Sequence, residues 1–217
     1  MTIFDPLSRY RAESTASQAI DLVPGAVGVV TISSLSSVAD GSVAIDLGSN
    51  VFRFYGASFS GPNQLFASEN GLISFSVAQP SPSNNHLFGY EAYLIAPLWD
   101  DWVTNRNTTI NDLVLYQFRD VDNDGVVDQL IIEWNNVHNS NVPESDGATF
   151  QAILSLNTGA NNGDIVFNYV DLVVDGNSGD GNYNNGGSAT IGIRPGQSGT
   201  LNTPLLVSMD GQQSNPS

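Results

Sequence analysis

The chain has 217 residues but no cysteine, no lysine, only two histidines and no apolar run long enough to span a bilayer. Each absence excludes a class of chemistry. Without cysteine there is no disulfide framework, thiolate metal site or thiol nucleophile. Without lysine there is no Schiff base and no isopeptide cross-link through an amine. His86 and His138 sit in no triad signature and show no zinc-ligand spacing, and no Gly-x-Ser-x-Gly elbow is present. A membrane helix needs about 20 consecutive apolar residues. The first residues, MTIFDPLSRYRAES, also lack the apolar centre of a signal peptide. Lack of disulfides is compatible with export, because a chain of this size buries enough surface to fold without staples.

Positive charge is equally scarce. Twenty-two acidic residues face six basic ones, all arginine, for a formal net charge of −16. Such a field repels phosphate backbones and anionic lipid, so neither nucleic acid nor membrane insertion is expected. It attracts cations.

What the sequence does contain is strand-like alternation. Phe52 and Phe54 flank Arg53, and Phe150, Ala152, Leu154 and Leu156 alternate with their neighbours. Ile165, Phe167 and Tyr169 do the same. Turn residues punctuate the chain, with Glu69-Asn70-Gly71 the clearest hairpin signal. About eleven strands are predicted, and no stretch supports a long amphipathic helix, which favours a jelly-roll-like all-β sandwich over parallel α/β architecture. Residues 1–24 are expected to be a linker or strap, with a weak helical tendency between Arg9 and Ile20. Residues 25–210 form the sandwich and 211–217 a tail; the loop 175–187 has low complexity.

The strongest chemical motif is Asp120-Val-Asp-Asn-Asp-Gly-Val-Val-Asp128. Carboxylates stand at loop positions 1, 3, 5 and 9, with glycine at 6. Calcium takes about six to eight oxygen ligands, and alternate residues of a tight loop bring their carboxylates to one centre. Asp120, Asp122, Asp124 and Asp128 would supply anionic oxygens and Val126 its carbonyl, with Gly125 permitting the left-handed turn. The loop is not a complete EF-hand: position 12 is Ile131 and the flanks are strand-like. It resembles the hairpin calcium loops of integrin-type β-propeller repeats, which fits a static clamp rather than a switch. Like charges about 4 Å apart repel by roughly 1–4 kcal/mol, so four packed carboxylates call for a cation.

Two other constellations invite functional interpretation. Trp99-Asp100-Asp101-Trp102 is a candidate ligand site, since aromatic rings beside carboxylates can grip a sugar. The alternative is that the tryptophans are core and the aspartates bond backbone amides of the next turn; Asp100 and Asp101 are also candidates for a second cation site. Glu133 could be half of a glycosidase pair, but that mechanism needs a second carboxyl at fixed separation, and none is assignable.

Several segments in order resemble the nidogen-type extracellular (NIDO) domain. They are Phe54-Tyr55-Gly56, Ala67-Ser-Glu-Asn-Gly-Leu-Ile-Ser-Phe75, Ile95-Ala-Pro-Leu-Trp-Asp-Asp101, Val114-Leu-Tyr116, Leu130-Ile-Ile-Glu-Trp-Asn-Asn-Val137, Thr149-Phe-Gln-Ala-Ile-Leu154, Asp164-Ile-Val-Phe-Asn-Tyr169 and Ala189-Thr-Ile-Gly-Ile193. The resemblance covers residues from about 45 to 195. It implies an extracellular β-rich module of adhesion or matrix proteins, with no catalytic residues. Animal members often carry cysteines and this chain has none; the aspartate loop looks like an insertion more typical of bacterial relatives. The expected protein is therefore a non-catalytic, calcium-binding module of a larger secreted or cell-surface protein, contacting extracellular protein or glycan and neighbouring domains of its own polypeptide. The alternatives are a lectin-like or carbohydrate-active domain and a structural spacer or self-assembly unit.

Overall fold

The computed structural model describes residues 2–4, 10–18, 20–32, 35, 40–84, 87, 92–104, 112–142, 147–157, 159–174, 183–196, 204–209 and 212–213. Among them are seventeen strands. The first eight are β1 (Thr2–Phe4), β2 (Arg11–Glu13), β3 (Val29–Thr31), β4 (Ser42–Ile45), β5 (Phe52–Phe54), β6 (Ala57–Phe59), β7 (Leu65–Ser68) and β8 (Leu72–Phe75). They are followed by β9 (Tyr93–Trp99), β10 (Trp102–Val103), β11 (Leu113–Arg119), β12 (Gln129–Asn139), β13 (Ala148–Ser155) and β14 (Ile165–Asp171). The last three are β15 (Thr190–Arg194), β16 (Leu205–Met209) and β17 (Gln212–Gln213).

Two large antiparallel sheets result. Sheet A runs β2-β1-β14-β13-β12-β11-β3, with β10 added along the far end of β12; sheet B runs β17-β16-β15-β9-β8-β7-β4. A small β5-β6 hairpin stands apart. Strands β11 to β14 form a plain meander, so sheet A is built mainly from chain neighbours rather than by the interleaved connections of a jelly roll.

The sheets pack face to face because their strands alternate as period-2 patterning requires. Ile73, Phe75, Ile95 and Leu98 from sheet B meet Leu130, Ile132, Trp134, Phe150, Leu154 and Phe167 from sheet A in one core. Two polar groups cross the interface. Trp134 Nε1 donates to Ser68 O at 2.8 Å, and the Tyr169 hydroxyl donates to Pro97 O at 2.8 Å. Burial pushes the Tyr169 phenol well above its ordinary pKa. An aromatic group formed by Phe52, Phe54, Phe59 and Phe75 fills one end of the core, with Phe52 stacked on Phe75 at 5.5 Å.

The strand count exceeds the sequence expectation because short pieces were invisible to patterning. The β5-β6 hairpin turns at Tyr55-Gly56, where φ is 48° and 80°; both left-handed values suit a two-residue primed turn. Strand β12 continues past Asn135-Asn136 through a bulge, with Asn136 at φ 53°. The weak helical tendency of Arg9–Ile20 is overridden: Arg11–Glu13 is extended and pairs with β1, which in turn pairs with β14. Val27 lies in an exposed turn and its strand begins at Val29. Of the expected low-complexity loop, residues 175–182 lie outside the described residues, as do His86 and most of the tail.

Candidate functional site

The aspartate loop joins β11 to β12, a hairpin towards the β3 edge of sheet A. Its base is closed where Asp128 N donates to Arg119 O at 2.8 Å and Leu156 N donates to Asp128 O at 2.7 Å. Inside the loop the carboxylates organise the backbone. Asp120 accepts from Asp124 N at 3.2 Å and from Gly125 N at 2.8 Å. Asp122 Oδ1 accepts from Asp124 N at 3.2 Å, and Asp124 Oδ1 accepts from Val126 N at 2.7 Å. Asn123 and Gly125 take the left-handed φ values, 63° and 89°, that fold these amides inward.

As a result Asp120, Asp122 and Asp124, all exposed, each offer an oxygen within 4.8 Å of the others. Two ligands opposite one another on calcium, each about 2.4 Å away, stand about 4.8 Å apart, so this cluster can chelate a divalent cation. Asp122 and Asp124 use Oδ1 for loop amides, which leaves Oδ2 of each for an ion. Asp128 Oδ2 accepts from Val121 N at 2.7 Å, and Val126 is half exposed at the loop tip. An open hollow of about 280 Å³ beside the loop is lined by Val121, Asp122, Asp128, Gln129, Ser155 and Asn161.

The electrostatics of the loop favour a cation. The Asp124 amide lowers the pKa of Asp122, but desolvation and repulsion from Asp124, Asp128 and Asp120 together outweigh it, and the net direction is upward. Among the described residues no arginine forms an ion pair with these carboxylates.

The second constellation lies inside the protein. Trp99 and Trp102 are 0% and 2% exposed. Trp99 Nε1 donates to Ser81 O at 2.9 Å and Trp102 Nε1 to Leu98 O at 2.7 Å. Trp102 also packs against Phe150 at 5.8 Å. Neither ring is presented to a ligand. Asp100, 5% exposed, accepts from Asp101 N at 2.8 Å and from the Ser188 hydroxyl, and Asp101 Oδ2 accepts from the Ser140 hydroxyl. The aspartates thus bond local backbone and hydroxyl groups.

These residues belong to a buried polar corner that sequence patterning did not reveal. Glu69 Oε1 accepts from Thr104 N at 2.6 Å and from the Thr104 hydroxyl at 2.9 Å. Asn70 donates to Asp40 and Pro80 O and accepts from Trp102 N. Its backbone carbonyl accepts from Asp100 N. The segments Ala67–Phe75, Ile95–Asp101 and Leu130–Val137, far apart in the chain, meet there. The only sequence signal was an acid and an amide directly before Gly71.

Glu133 is 2% exposed and not in a cleft. Its Oε2 accepts from Gln151 Nε2, and the Leu22 amide donates to it. Asp21 is near enough to repel it, but Glu133 is buried and bonded to Gln151 and Leu22, so it is not placed as half of a glycosidase pair.

Burial is the dominant cause that raises the pKa of Glu69, Asp100 and Glu133 above the ordinary values of 4.5, 3.8 and 4.5. The folded state therefore holds these protons more tightly than the unfolded chain. The stability they contribute is complete below the ordinary values and is lost as pH rises through the raised folded ones. Acidification from pH 7.5 towards 5 is expected to raise the melting temperature in chelator, and Glu133→Gln should flatten part of that slope. A melting temperature that falls over this range would contradict the assignment.

Fold and loop together define an all-β module with an acidic cluster capable of chelating a cation. The chain belongs to the NIDO related family, whose model matches residues 10–216. No curated protein and no solved structure matches it. No helix among the described residues is long and apolar enough to cross a membrane.

Proposed function

We propose that this chain is a calcium-binding adhesion or matrix-interaction module of a larger secreted or cell-surface protein. The observation that carries the metal assignment is the convergence of three carboxylate oxygens within 4.8 Å on a loop with no compensating arginine among the described residues. In this reading Asp120, Asp122, Asp124 and Asp128 hold the ion with the Val126 carbonyl. Bound calcium supplies the positive charge that lets the four acids share one turn. The ion binds only the folded loop, so it stabilises the native state by mass action. Membership of the NIDO related family supports the extracellular setting, as does a net charge of −16, which suits a calcium-rich medium. Partners of this module are extracellular proteins or glycans and the other domains of its own polypeptide. All three tryptophans are buried, which favours contact through the polar surface over sugar stacking on indole rings.

At free calcium about a hundredfold above Kd, stability rises by about 2.7 kcal/mol. For a chain of this size that is roughly 5–10 °C in melting temperature. Asp122→Ala with Asp124→Ala should abolish the gain. Identical melting curves in calcium and in excess chelator would refute the metal assignment. The adhesion assignment is tested by panels of immobilised matrix proteins and glycans, with capture by the wild type expected in calcium and absent in chelator.

A further inference from the structure

The outer face of sheet A carries a row of buried polar side chains that the calcium-loop reading does not use. Glu133, Gln151 and Asn168 lie side by side on β12, β13 and β14, paired in register. All three are almost fully buried, in the midst of the apolar cluster of Leu115, Ile131, Ile153 and Val166. Buried polar groups need partners, and these find theirs on a strap of the N-terminal chain.

The strap crosses the sheet strand by strand. Gln18 N donates to Asn168 Oδ1 at 3.0 Å, and Ile20 N donates to Gln151 Oε1 at 3.2 Å. Gln151 Nε2 donates back to Ile20 O at 2.5 Å, and the Leu22 amide donates to Glu133. Every one of these bonds engages strap main chain, at alternate residues. The side chains of Ile20 and Leu22 enter the apolar cluster. The face thus recognises an extended backbone with aliphatic residues two apart, and its resident occupant is this chain's own arm.

The arm is attached through a hinge. Residues 11–18 on one flank and 23–28 on the other are exposed. Two successive tight turns follow the strap: Ala26 N donates to Val23 O at 3.0 Å and Val29 N to Ala26 O at 3.1 Å. They place Gly25 at φ 82° and Gly28 at φ 79°. A Cβ added at Gly25 would meet nothing within 4 Å, so substitution there acts on backbone conformation alone.

We infer that the outer face of sheet A is a main-chain-reading groove and that its occupant exchanges between two copies of this chain, the arm of each filling the groove of the other. Every groove contact is reproduced in the exchanged pair, so the balance falls on the hinge and on repulsion between copies. The closed hinge favours the monomer through two glycines that accept positive φ. Repulsion from a net charge of −16 on each copy is screened at about 1 M salt, where the Debye length is about 3 Å.

The test uses the full chain with Gly25→Val, because a β-branched residue is strongly disfavoured at positive φ. In about 1 M NaCl the variant is expected to double its mass in light scattering. The amides of Gln18, Ile20 and Leu22 should stay as protected from hydrogen exchange as in the wild type, since each groove remains filled. Adding Gln151→Ala and Asn168→Ala should return the protein to a monomer. A folded Gly25→Val monomer, or a dimer in which those amides lose protection, overturns the inference. As a second readout, nitrogen-15-labelled and unlabelled Gly25→Val chains are mixed in about 1 M ammonium acetate, warmed below the melting transition and examined by native mass spectrometry. Mixed-mass dimers are expected, and their absence overturns the inference.

Discussion

Trp134→Ala is expected to remove roughly 3–5 kcal/mol of folding stability, the usual loss for deleting a buried aromatic ring. Trp134 is fully buried, stacked on Phe150 at 5.0 Å with the rings 9° from parallel. Its indole N–H also ties the sheets together through Ser68 O. Deletion leaves a cavity between the sheets and takes away a buried carbonyl's donor, which adds roughly 1–3 kcal/mol where no other partner replaces it. Set against a total of about 5–15 kcal/mol for a native domain, the variant lies near the threshold of folding. Trp134→Phe separates the two contributions, because it keeps most of the stacked ring and removes only the donor. Urea unfolding of both variants measures them, and a loss below about 1 kcal/mol for the alanine variant would contradict the packing described.

Gly71→Ala is expected to be comparably severe for a different reason. At φ 72°, Gly71 would place a Cβ 2.1 Å from Leu98 O and 3.1 Å from Phe150 Cζ. Leu98 lies within β9, so its carbonyl cannot withdraw without shifting a central strand. Left-handed strain contributes roughly 1–2 kcal/mol, and overpacking a rigid neighbour commonly contributes about 1–3 more. Gly125→Ala is the control. It has φ 89° but open space around the added carbon, so only the strain remains. Thermal or denaturant unfolding should rank Gly71→Ala well below Gly125→Ala. Equal losses would show that the close approach to Leu98 is unimportant.

Much of the fold was legible from the sequence because it depends on local alternation. Phe52 and Phe54 are buried around an exposed Arg53, as a half-buried strand requires. The Glu69-Asn70-Gly71 turn was equally plain, since glycine adopts without strain the left-handed conformation its hairpin takes. The clustering of Asp120, Asp122 and Asp124 was legible because alternate acids in a tight turn are carried to one side of it. Long-range geometry was not. Nothing in the segment Trp99-Asp100-Asp101-Trp102 tells whether its rings face water or Phe150; that depends on Asn70 and Ser188, remote in sequence. The row Glu133-Gln151-Asn168 was hidden likewise, because polar residues in strands ordinarily mark the solvent face. Here a covering segment inverts that rule. Short strands such as β2 and β6 fall below the length at which alternation carries information.

The way the N-terminal arm spans sheet A sets what kinds of sequence change it can absorb. Its amides at 18, 20 and 22 meet successive strands, one every second residue. Swapping the outward-facing side chains leaves that spacing intact. Inserting or deleting one residue reverses which side chains point down and turns Ile20 or Leu22 towards water. Length, more than letter identity, is the constrained property of this segment.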